Sequence, residues 1–266
     1  MAQNNKVRFM SLSSGSNGNC YWLEAGDGGI LIDAGVSIRQ LRSAFQTYGI
    51  PLDSIKGILV THDHSDHIRN LGSFCKKLRK PVWMTATLSK SAPVGWMTGA
   101  YLSPVLKLLP ERGPAEIIPG SISATPFTVP HDATQTVGYA IEAAGERIVI
   151  MTDIGAMTAE ALEYAAKAST VIIEANYDLE MLLGGPYPKI LQDRIRGGHG
   201  HLSNAECAEA VGSFLHEGLR NVFLCHLSAH NNTPEKAVEA VRTVLEGSGA
   251  RLAALPRTDA SPMFEL

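Results

Sequence analysis

The chain has few features of a secreted or membrane protein. Its four cysteines are widely spaced over 266 residues and form no Cys-x-x-Cys pair, so no disulfide framework is expected and a reducing cytoplasm is the simplest compartment. No apolar run reaches the roughly 18 residues of a membrane-spanning helix, and the polar residues 1–7 lack the apolar stretch of a signal peptide. We expect a cytoplasmic protein that does not bind membranes.

Charge is also scarce. Charged residues make up 18% of the chain, hydrophobic residues 45%, and the mean hydropathy is +0.02. This composition excludes a disordered or highly charged tail protein and is sufficient for a sizeable core. The net charge of −3 argues against a protein that binds nucleic acid through its overall positive charge.

Acidic residues are missing from one long segment. Between His67 and Pro110 there is no Asp or Glu, whereas the rest of the chain holds 26 acidic and 16 basic residues. The basic residues of this segment are Arg69, Lys76, Lys77, Arg79, Lys80, Lys90 and Lys107. Such a segment can follow a phosphate backbone or form a solvated basic face, and the sequence favours neither interpretation.

Hydrophobic periodicity predicts a β-rich first half and alternating helices and strands in the second. Short strands at residues 7–12, 20–24 and 30–33, separated by turns rich in glycine, indicate an antiparallel meander. Helices of equal length are predicted in the second half over residues 204–216 and 234–246. We predict two sheets covered by outer helices, in a single domain spanning residues 1–266.

A dense group of possible metal ligands follows an apolar strand at residues 57–61. The segment THDHSDH has the form His-x-His-x-Asp-His, and one helix is predicted directly after it, over residues 68–78. The residues of the motif are His62, His64, Asp66 and His67, with Asp63 between the first two. Imidazole and carboxylate groups are ligands of zinc, iron and manganese. Because burying such groups unpaired costs several kcal/mol each, a metal site is favoured over a packed core or a solvated loop.

Three further residues of ligand type end predicted strands. His131 follows the strand that closes at Val129, Asp153 ends an apolar strand, and His226 ends another. A single Asp at a strand end is more often a turn residue. Three such residues after the His-rich motif nevertheless complete a candidate set of ligands for two metals.

The order of these residues resembles that of the metallo-β-lactamase superfamily, and Asp33 in LIDAG is similar to its first motif. The resemblance implies an α/β fold, a four-layer αβ/βα sandwich with two mixed β-sheets and outer helices. It also implies two divalent metal ions per chain, of zinc, manganese or iron. By the same resemblance, one metal is held by His62, His64 and His131. The other is held by Asp66, His67 and His226, and Asp153 bridges them.

The chain resembles one group of this superfamily more closely. The segments SLSSGSNGNCYWLE, YPKILQDRIRGGHGHLSN and CHLSAHNNTPE are similar to the YycJ/WalJ group of bacterial exonucleases. That resemblance implies a metal-dependent 5′-to-3′ exonuclease acting on duplex DNA. In the related tRNA 3′-processing enzymes, a histidine at the start of such a helix helps to protonate the leaving oxygen. This implies a catalytic role for His201, and for Asp66 the role of orienting or deprotonating the water.

Candidate substrate contacts lie in two places near these motifs. Ser14, Ser16 and Asn17 belong to a predicted loop over residues 13–19, which could present N–H groups and hydroxyls to a terminal phosphate. The alternative is an ordinary turn. Ser203 is a candidate for the phosphate site at the N-terminus of the following helix, or, together with His201, simply a helix cap.

Two arginines precede His201 in the sequence. Arg194 and Arg196 could each bind a phosphate through the guanidinium group. The alternative is a surface ion pair of these arginines with Asp193 or Glu180.

Three hypotheses for function follow. The first is a dinuclear phosphodiester hydrolase, an exonuclease whose partner is DNA. The second is a hydrolase of the same fold that acts on a thioester, lactone or cyclic phosphodiester, or a ribonuclease of the tRNA 3′-processing type. The third is a non-catalytic metal-bound adaptor, against which the complete ligand set argues. The sequence predicts no oligomeric state.

Overall fold

Two seven-stranded β-sheets form the centre of the structure, a computed structural model that describes residues 6–91 and 96–266. The strands are β1 (Val7–Gly15), β2 (Gly18–Ala25), β3 (Gly28–Ile32), β4 (Ile55–Leu59), β5 (Val82–Met84), β6 (Leu106–Leu108), β7 (Ala115–Ile118), β8 (Ile122–Val129), β9 (Thr136–Ala143), β10 (Glu146–Met151), β11 (Thr170–Glu174), β12 (Asn221–Cys225), β13 (Arg251–Ala254) and β14 (Phe264–Glu265). The α-helices are α1 (Ile38–Thr47), α2 (Ser65–Ile68), α3 (Leu71–Leu78), α4 (Ala86–Ser91), α5 (Trp96–Leu102), α6 (Ala159–Ala165), α7 (Leu179–Gly184), α8 (Lys189–Arg196), α9 (Asn204–Phe214) and α10 (Pro234–Arg242).

Both sheets are mixed. The first has the order β14-β1-β2-β3-β4-β5-β6, in which β1 to β3 form the predicted antiparallel meander and β3 to β6 are parallel. The second has the order β13-β12-β11-β10-β9-β8-β7, antiparallel from β7 to β10 and parallel from β10 to β13. The parallel strands of the second sheet are joined through helices, as parallel connections require.

The sheets pack face to face, and helices cover their outer faces. Phe9 of the first sheet and Phe223 of the second have ring centroids 5.3 Å apart. On the outer side of the first sheet, Trp22 packs edge-on against Phe45 of α1, with centroids 4.9 Å apart. A second core cluster joins the second sheet to α6, α9 and α10. The four-layer αβ/βα sandwich predicted from the sequence is confirmed.

One local prediction was wrong, and two helices were not predicted. The single helix expected over residues 68–78 is divided into α2 and α3, because Asn70 between them bonds to the segment after β3. Its N–H donates to Ala34 O, and its side-chain amide donates to Gly35 O. The helices α7 and α8 were not predicted, since the Gly-Gly-Pro-Tyr-Pro stretch between them interrupts any helical periodicity.

The cysteines and the helices of the structure bear on two predictions from the sequence, the absence of disulfides and of membrane-spanning segments. All four cysteines are free and buried. In the described ranges, no helix is long and apolar enough to cross a bilayer. The prediction that residues 1–7 contain no signal peptide concerns a segment whose first five residues lie outside the described part of the chain.

Candidate metal centre

Strand ends from both sheets bring the predicted ligands together. His131 lies two residues after β8, Asp153 two residues after β10, and His226 directly after β12. They meet the loop and short helix α2 that follow β4, and the ligand atoms fall into two groups, each with all atoms within 4.8 Å of one another. The first group is His62, His64 and His131, and the second is Asp66, His67, Asp153 and His226.

The first group consists of three imidazoles held through their second nitrogen atoms. His131 Nδ1 lies 2.7 Å from Gly200 O, so that its Nε2 faces the group, 3.3 Å from His64 Nδ1. His62 Nδ1 lies 3.0 Å from the Thr61 hydroxyl. The other nitrogen of His62, Nε2, is buried and has no hydrogen-bond partner among the described residues. A buried nitrogen without a partner is costly unless something else binds it, which fits a metal ligand.

The second group combines two imidazoles with two carboxylates. His67 Nε2 lies 3.1 Å from Asp153 Oδ2, and His226 Nε2 lies 3.4 Å from Asp66 Oδ2. Asn19, which the sequence analysis did not select, donates from Nδ2 to Asp66 Oδ2 over 3.1 Å. The group therefore offers both nitrogen and oxygen ligands at short range.

Asp153 belongs to the second group but also reaches the first. Its Oδ1 lies 3.7 Å from His131 Nε2, whereas its Oδ2 faces His67. The side chain is almost completely buried between the two groups. A single carboxylate in this position can contribute one oxygen to each of two adjacent metals.

The pKa values of these side chains follow from burial and neighbouring charge. Burial lowers the pKa of His62 well below its usual value, and the charge on His67 acts in the same direction. Burial also opposes charge on His67, but the carboxylates of Asp153 and Asp33 outweigh it and raise the pKa of His67 to about 10. For Asp153, burial is outweighed by the charges on His226 and His67, which hold its pKa well below the usual range. The neutral imidazole of His62 and the buried ionised carboxylate of Asp153 are both suited to binding a cation. His67 is protonated without a metal, and a cation bound there would take the place of that proton between the same carboxylates.

Asp33 orients one member of the second group. Its Oδ2 lies 2.7 Å from His67 Nδ1, and it also accepts hydrogen bonds from the backbone N–H and the hydroxyl of Thr61. A carboxylate behind an imidazole fixes the ring so that its other nitrogen points at a bound metal. This contact explains the Asp33 motif noted in the sequence.

Several site residues adopt a backbone conformation that L-amino acids rarely take. Asp33, Asp153 and His226 have φ values of 64°, 52° and 53°. Each conformation of this kind costs of the order of 1–3 kcal/mol and tends to occur at functional sites. The turn after each strand directs the side chain toward the site and away from the continuing sheet.

Glu174 is the main residue that the sequence analysis missed. It is fully buried, with Oε1 2.7 Å from His201 Nδ1 and 3.0 Å from His226 Nδ1. Its Oε2 accepts from the N–H groups of Ile154 and Leu202. The sequence did contain a signal for Glu174, since it is an acidic residue that ends an otherwise apolar strand. In the sheet, this strand lies between the strands that lead to Asp153 and His226.

His201 lies beside the second group, and Ser203 does not take part in the site. Ser203 is the N-cap of α9, and its hydroxyl both accepts from Glu206 N–H and donates to the Glu206 carboxylate. Of the first helical N–H groups, that of Asn204 donates to Tyr177 O. Because these groups are already occupied, the structure gives the Ser203 hydroxyl the role of a helix cap and does not bring it to the cavity. The capping alternative holds for Ser203 but not for His201, which bonds to Glu174.

The predicted loop over residues 13–19 is in fact the paired ends of β1 and β2. Ser14 is buried, its hydroxyl lies 2.9 Å from the Tyr21 hydroxyl and accepts from His226 N–H, so it supports His226 and is not open to a phosphate. The structure therefore does not bring Ser14 to the cavity surface. Ser16 lines the cavity beside the metal groups, whereas Asn17 is exposed at the turn and does not line the cavity.

The two arginines have different environments. Arg194 of α8 lines the cavity and forms an ion pair with Asp132, next to His131. The alternative of an ion pair with Asp193 or Glu180 does not apply to Arg194, whose carboxylate partner is Asp132, while Asp193 pairs with Lys189. Arg196 is exposed and does not line the cavity, so the structure does not bring it to the site.

The basic segment after His67 carries unpaired charges. In residues 6–91 and 96–266, none of its seven basic side chains forms an ion pair with a carboxylate. Arg69 lies beside the β1–β2 turn, close to Gly18, and Lys76 lies over the Tyr101 ring at 5.1 Å from its centroid. These cations remain available to an anionic partner.

Comparison with known proteins assigns this fold and site to a family. A beta-lactamase superfamily domain matches residues 29–226, from β3 to the last ligand candidate. The chain belongs to the metallo-β-lactamase superfamily. The match contains all seven ligand candidates and Asp33, and the chain is a hydrolase of the metallo-β-lactamase fold.

Two relatives in this superfamily are similar in sequence to most of this chain. The chain is 30% identical over 247 residues to exodeoxyribonuclease YycJ of Bacillus anthracis, covering 91% of this chain and 90% of the relative. It is 32% identical over 239 residues to exodeoxyribonuclease WalJ of Streptococcus pneumoniae, covering 86% and 85%. Zn(2+)-bound PqqB from Methylobacterium extorquens has a similar structure, with a TM-score of 0.72 at 19% identity over 97% of this chain and 100% of the other. The predicted resemblance to the YycJ/WalJ group is confirmed, and the solved structure supports the fold.

Gly35→Ala should destabilise the metallo-β-lactamase site of this chain. A Cβ at Gly35 would lie 1.8 Å from Asp66 O and 2.5 Å from Asn19 N, so the backbone of α2 would have to move. We expect the free energy of unfolding in denaturant to fall by about 1–3 kcal/mol, as for other overpacked sites. Gly99→Ala in α5 is the matched control, since its Cβ meets nothing within 4 Å. Equal stability of the two variants would contradict this account of the packing.

Proposed function

We propose that this chain is a dinuclear metal-dependent phosphodiester hydrolase, a 5′-to-3′ exonuclease acting on duplex DNA. The observation that carries the proposal is the position of Asp153, whose two carboxylate oxygens face the two groups of imidazoles in one cavity. The relatives named exodeoxyribonuclease, which align over most of both chains, support DNA as the substrate.

The residues of the site fit two divalent cations. His62, His64 and His131 would hold one metal, Asp66, His67 and His226 would hold the other, and Asp153 would bind both. Zinc, manganese and iron all accept this set of nitrogen and oxygen ligands. When bound, the two metals would supply hydroxide at neutral pH and neutralise charge on the phosphate.

The remaining groups have roles that follow from their contacts. Burial raises the pKa of Asp66, but the hydrogen bond from His226 and the charge on His67 outweigh it and lower that pKa. Asp66 is therefore ionised at neutral pH and able to orient or deprotonate a water. His201 is partly exposed at the cavity. Burial lowers the pKa of His201, but the carboxylate of Glu174 beside it outweighs burial and raises that pKa. His201 therefore keeps the proton that a general acid needs.

Positive charge around the cavity supports an anionic polymer as substrate. Arg69, which has no carboxylate partner among the described residues, lies beside the turn that carries Ser16, whereas Arg194 at the cavity is paired with Asp132. The unpaired basic residues of α3 extend this positive surface along the chain from the motif. A phosphate backbone is attracted to such a surface even though the whole protein is weakly acidic.

The test is hydrolysis by protein stripped with a chelator and reloaded separately with Mn²⁺, Zn²⁺ or Mg²⁺. We expect a 5′-labelled duplex DNA to release its label at once as a mononucleotide, and the stripped protein to be inactive. A descending ladder of labelled fragments would show the opposite polarity. Because a cavity of about 370 Å³ also admits a small ester, an RNA duplex and a chromogenic phosphodiester are included. Turnover of the small ester alone would contradict the proposal.

A further inference from the structure

The cavity beside the candidate metal centre has two chemically different walls. One wall carries the ligand candidates, with Asp153 and His226 at its base. A second part of the lining comes from the segment around α8, and it consists of Tyr187, Leu191 and Ile195 together with Arg194. The metal centre and its charges account for the first wall. The metal centre does not explain why the same cavity also has an aromatic and aliphatic surface.

The size of the cavity limits what part of a nucleic acid can enter. Its volume is about 370 Å³, near the lower end of the range for pockets that bind small molecules. A duplex, whose major groove alone is about 12 Å wide, does not fit in this space. A single unpaired nucleotide is the part of a nucleic acid that suits a space of this size.

Tyr187 is held rigidly on the apolar wall. It lies between Pro186 and Pro188, and a proline restricts both its own φ and the conformation of the residue before it. Its ring packs with a small apolar cluster that includes Ile195 and lies in a T-shaped arrangement against His230, with centroids 6.0 Å apart. The ring is thus fixed before a substrate arrives, so little conformational entropy is lost when another ring packs on it.

We propose that Tyr187, supported by His230, is the platform on which the base of the terminal nucleotide stacks once that nucleotide has left the duplex. The inference rests on the proposed nuclease function and identifies the unit bound at the site as a single unpaired nucleotide. Arg194 on the same wall faces its phosphate. Stacking accepts any base because every base has an aromatic face, which suits an enzyme that removes successive nucleotides of any sequence.

The experiment compares two probes that differ only in the base. Thymidine 5′-monophosphate and 2-deoxyribose 5-phosphate are titrated by calorimetry into the full chain, both metal-free and loaded with Mn²⁺. We expect the nucleotide to bind about 5- to 150-fold more tightly, the range that stacking of one base contributes. In Tyr187→Ala the ratio of the two dissociation constants should fall to about one, whereas Tyr187→Trp should keep it.

The matched control is Tyr48→Ala, which removes a tyrosine that is 37% exposed and does not line the cavity. It should keep the wild-type ratio. Equal binding of both probes to the wild type, or an unchanged ratio in Tyr187→Ala, would overturn the stacking platform. Preference for the nucleotide without hydrolysis of DNA under any metal would instead overturn the exonuclease proposal and leave the platform standing.

Discussion

Asp153→Asn should lower the metal content of the protein and nearly abolish hydrolysis. Asparagine has nearly the same volume as aspartate and tolerates the left-handed φ of 52° at this position, so the substitution removes mainly the charge. Because Asp153 faces both groups of imidazoles, we expect the metal content to fall from two ions per chain to one or none. Phosphodiester hydrolysis should fall by more than about 10³-fold, since loss of one electrostatic stabiliser alone costs about 10²–10³-fold.

The control for this prediction is Asp63→Asn, a carboxylate of the same loop as His62 and His64. Asp63 Oδ1 accepts from Thr134 N–H over 3.3 Å and belongs to neither group. Metal content by elemental analysis and steady-state kinetics should therefore stay near the wild-type values. Two metals and activity within about tenfold of wild type in Asp153→Asn would show that this residue is not the bridge.

Glu174→Gln should lower kcat and move the basic limb of the pH profile to lower pH. Glu174 raises the pKa of His201 against the effect of burial. A general acid must be protonated, so activity is lost as the pH rises through its pKa, and removing the carboxylate lowers that pKa. We expect kcat to fall about 10²-fold or more, as for other losses of general acid catalysis. In the variant, the NH2 group of glutamine would also lie against N–H or imidazole donors that the carboxylate accepts from in the wild type. This should lower the free energy of unfolding by about 1–3 kcal/mol.

Glu206→Gln tests whether this effect is specific. Glu206 lies in the same region, where its carboxylate accepts from Ser203 N–H and hydroxyl, and a glutamine oxygen can still accept there. Its pH profile should match that of the wild type. In the His201→Ala background, Glu174→Gln should have a much smaller effect on kcat, because the group it acts on is absent. An unchanged basic limb in Glu174→Gln would contradict the proposed role of the pair.

Local pattern predicted much of the fold and the identity of the ligand candidates. The strands before His131, Asp153 and His226 were recognisable because apolar runs end at polar residues, and parallel strands end at the same edge of a sheet. The boundary between α2 and α3 was not recognisable in this way. It depends on hydrogen bonds from Asn70 to Ala34 and Gly35, which lie about 35 residues earlier in the chain.

The surroundings of the predicted substrate contacts also depend on residues that are distant in the chain. Ser14 and Ser203 have residue types that bind phosphates, but their hydroxyls are occupied inside the protein by His226 and Glu206. Arg194, selected as a phosphate contact, lies at the cavity, and its ion-pair partner Asp132 belongs to a distant segment of the chain. Residue type alone does not show which hydrogen-bonding groups are already used.

The sequence by itself determined which residues can bind metal, and in what order the strands deliver them, because these depend on residue chemistry and on short-range periodicity. The resemblance already implied that Asp153 bridges two metals, and the structure adds the distances from its two oxygens to His67 and His131. Only the tertiary structure decided that Glu174 supports both His201 and His226, and that Tyr187 lines the cavity. These contacts join residues far apart in the chain. They depend on how the strand ends and the surrounding segments pack together, which no local pattern in the sequence specifies.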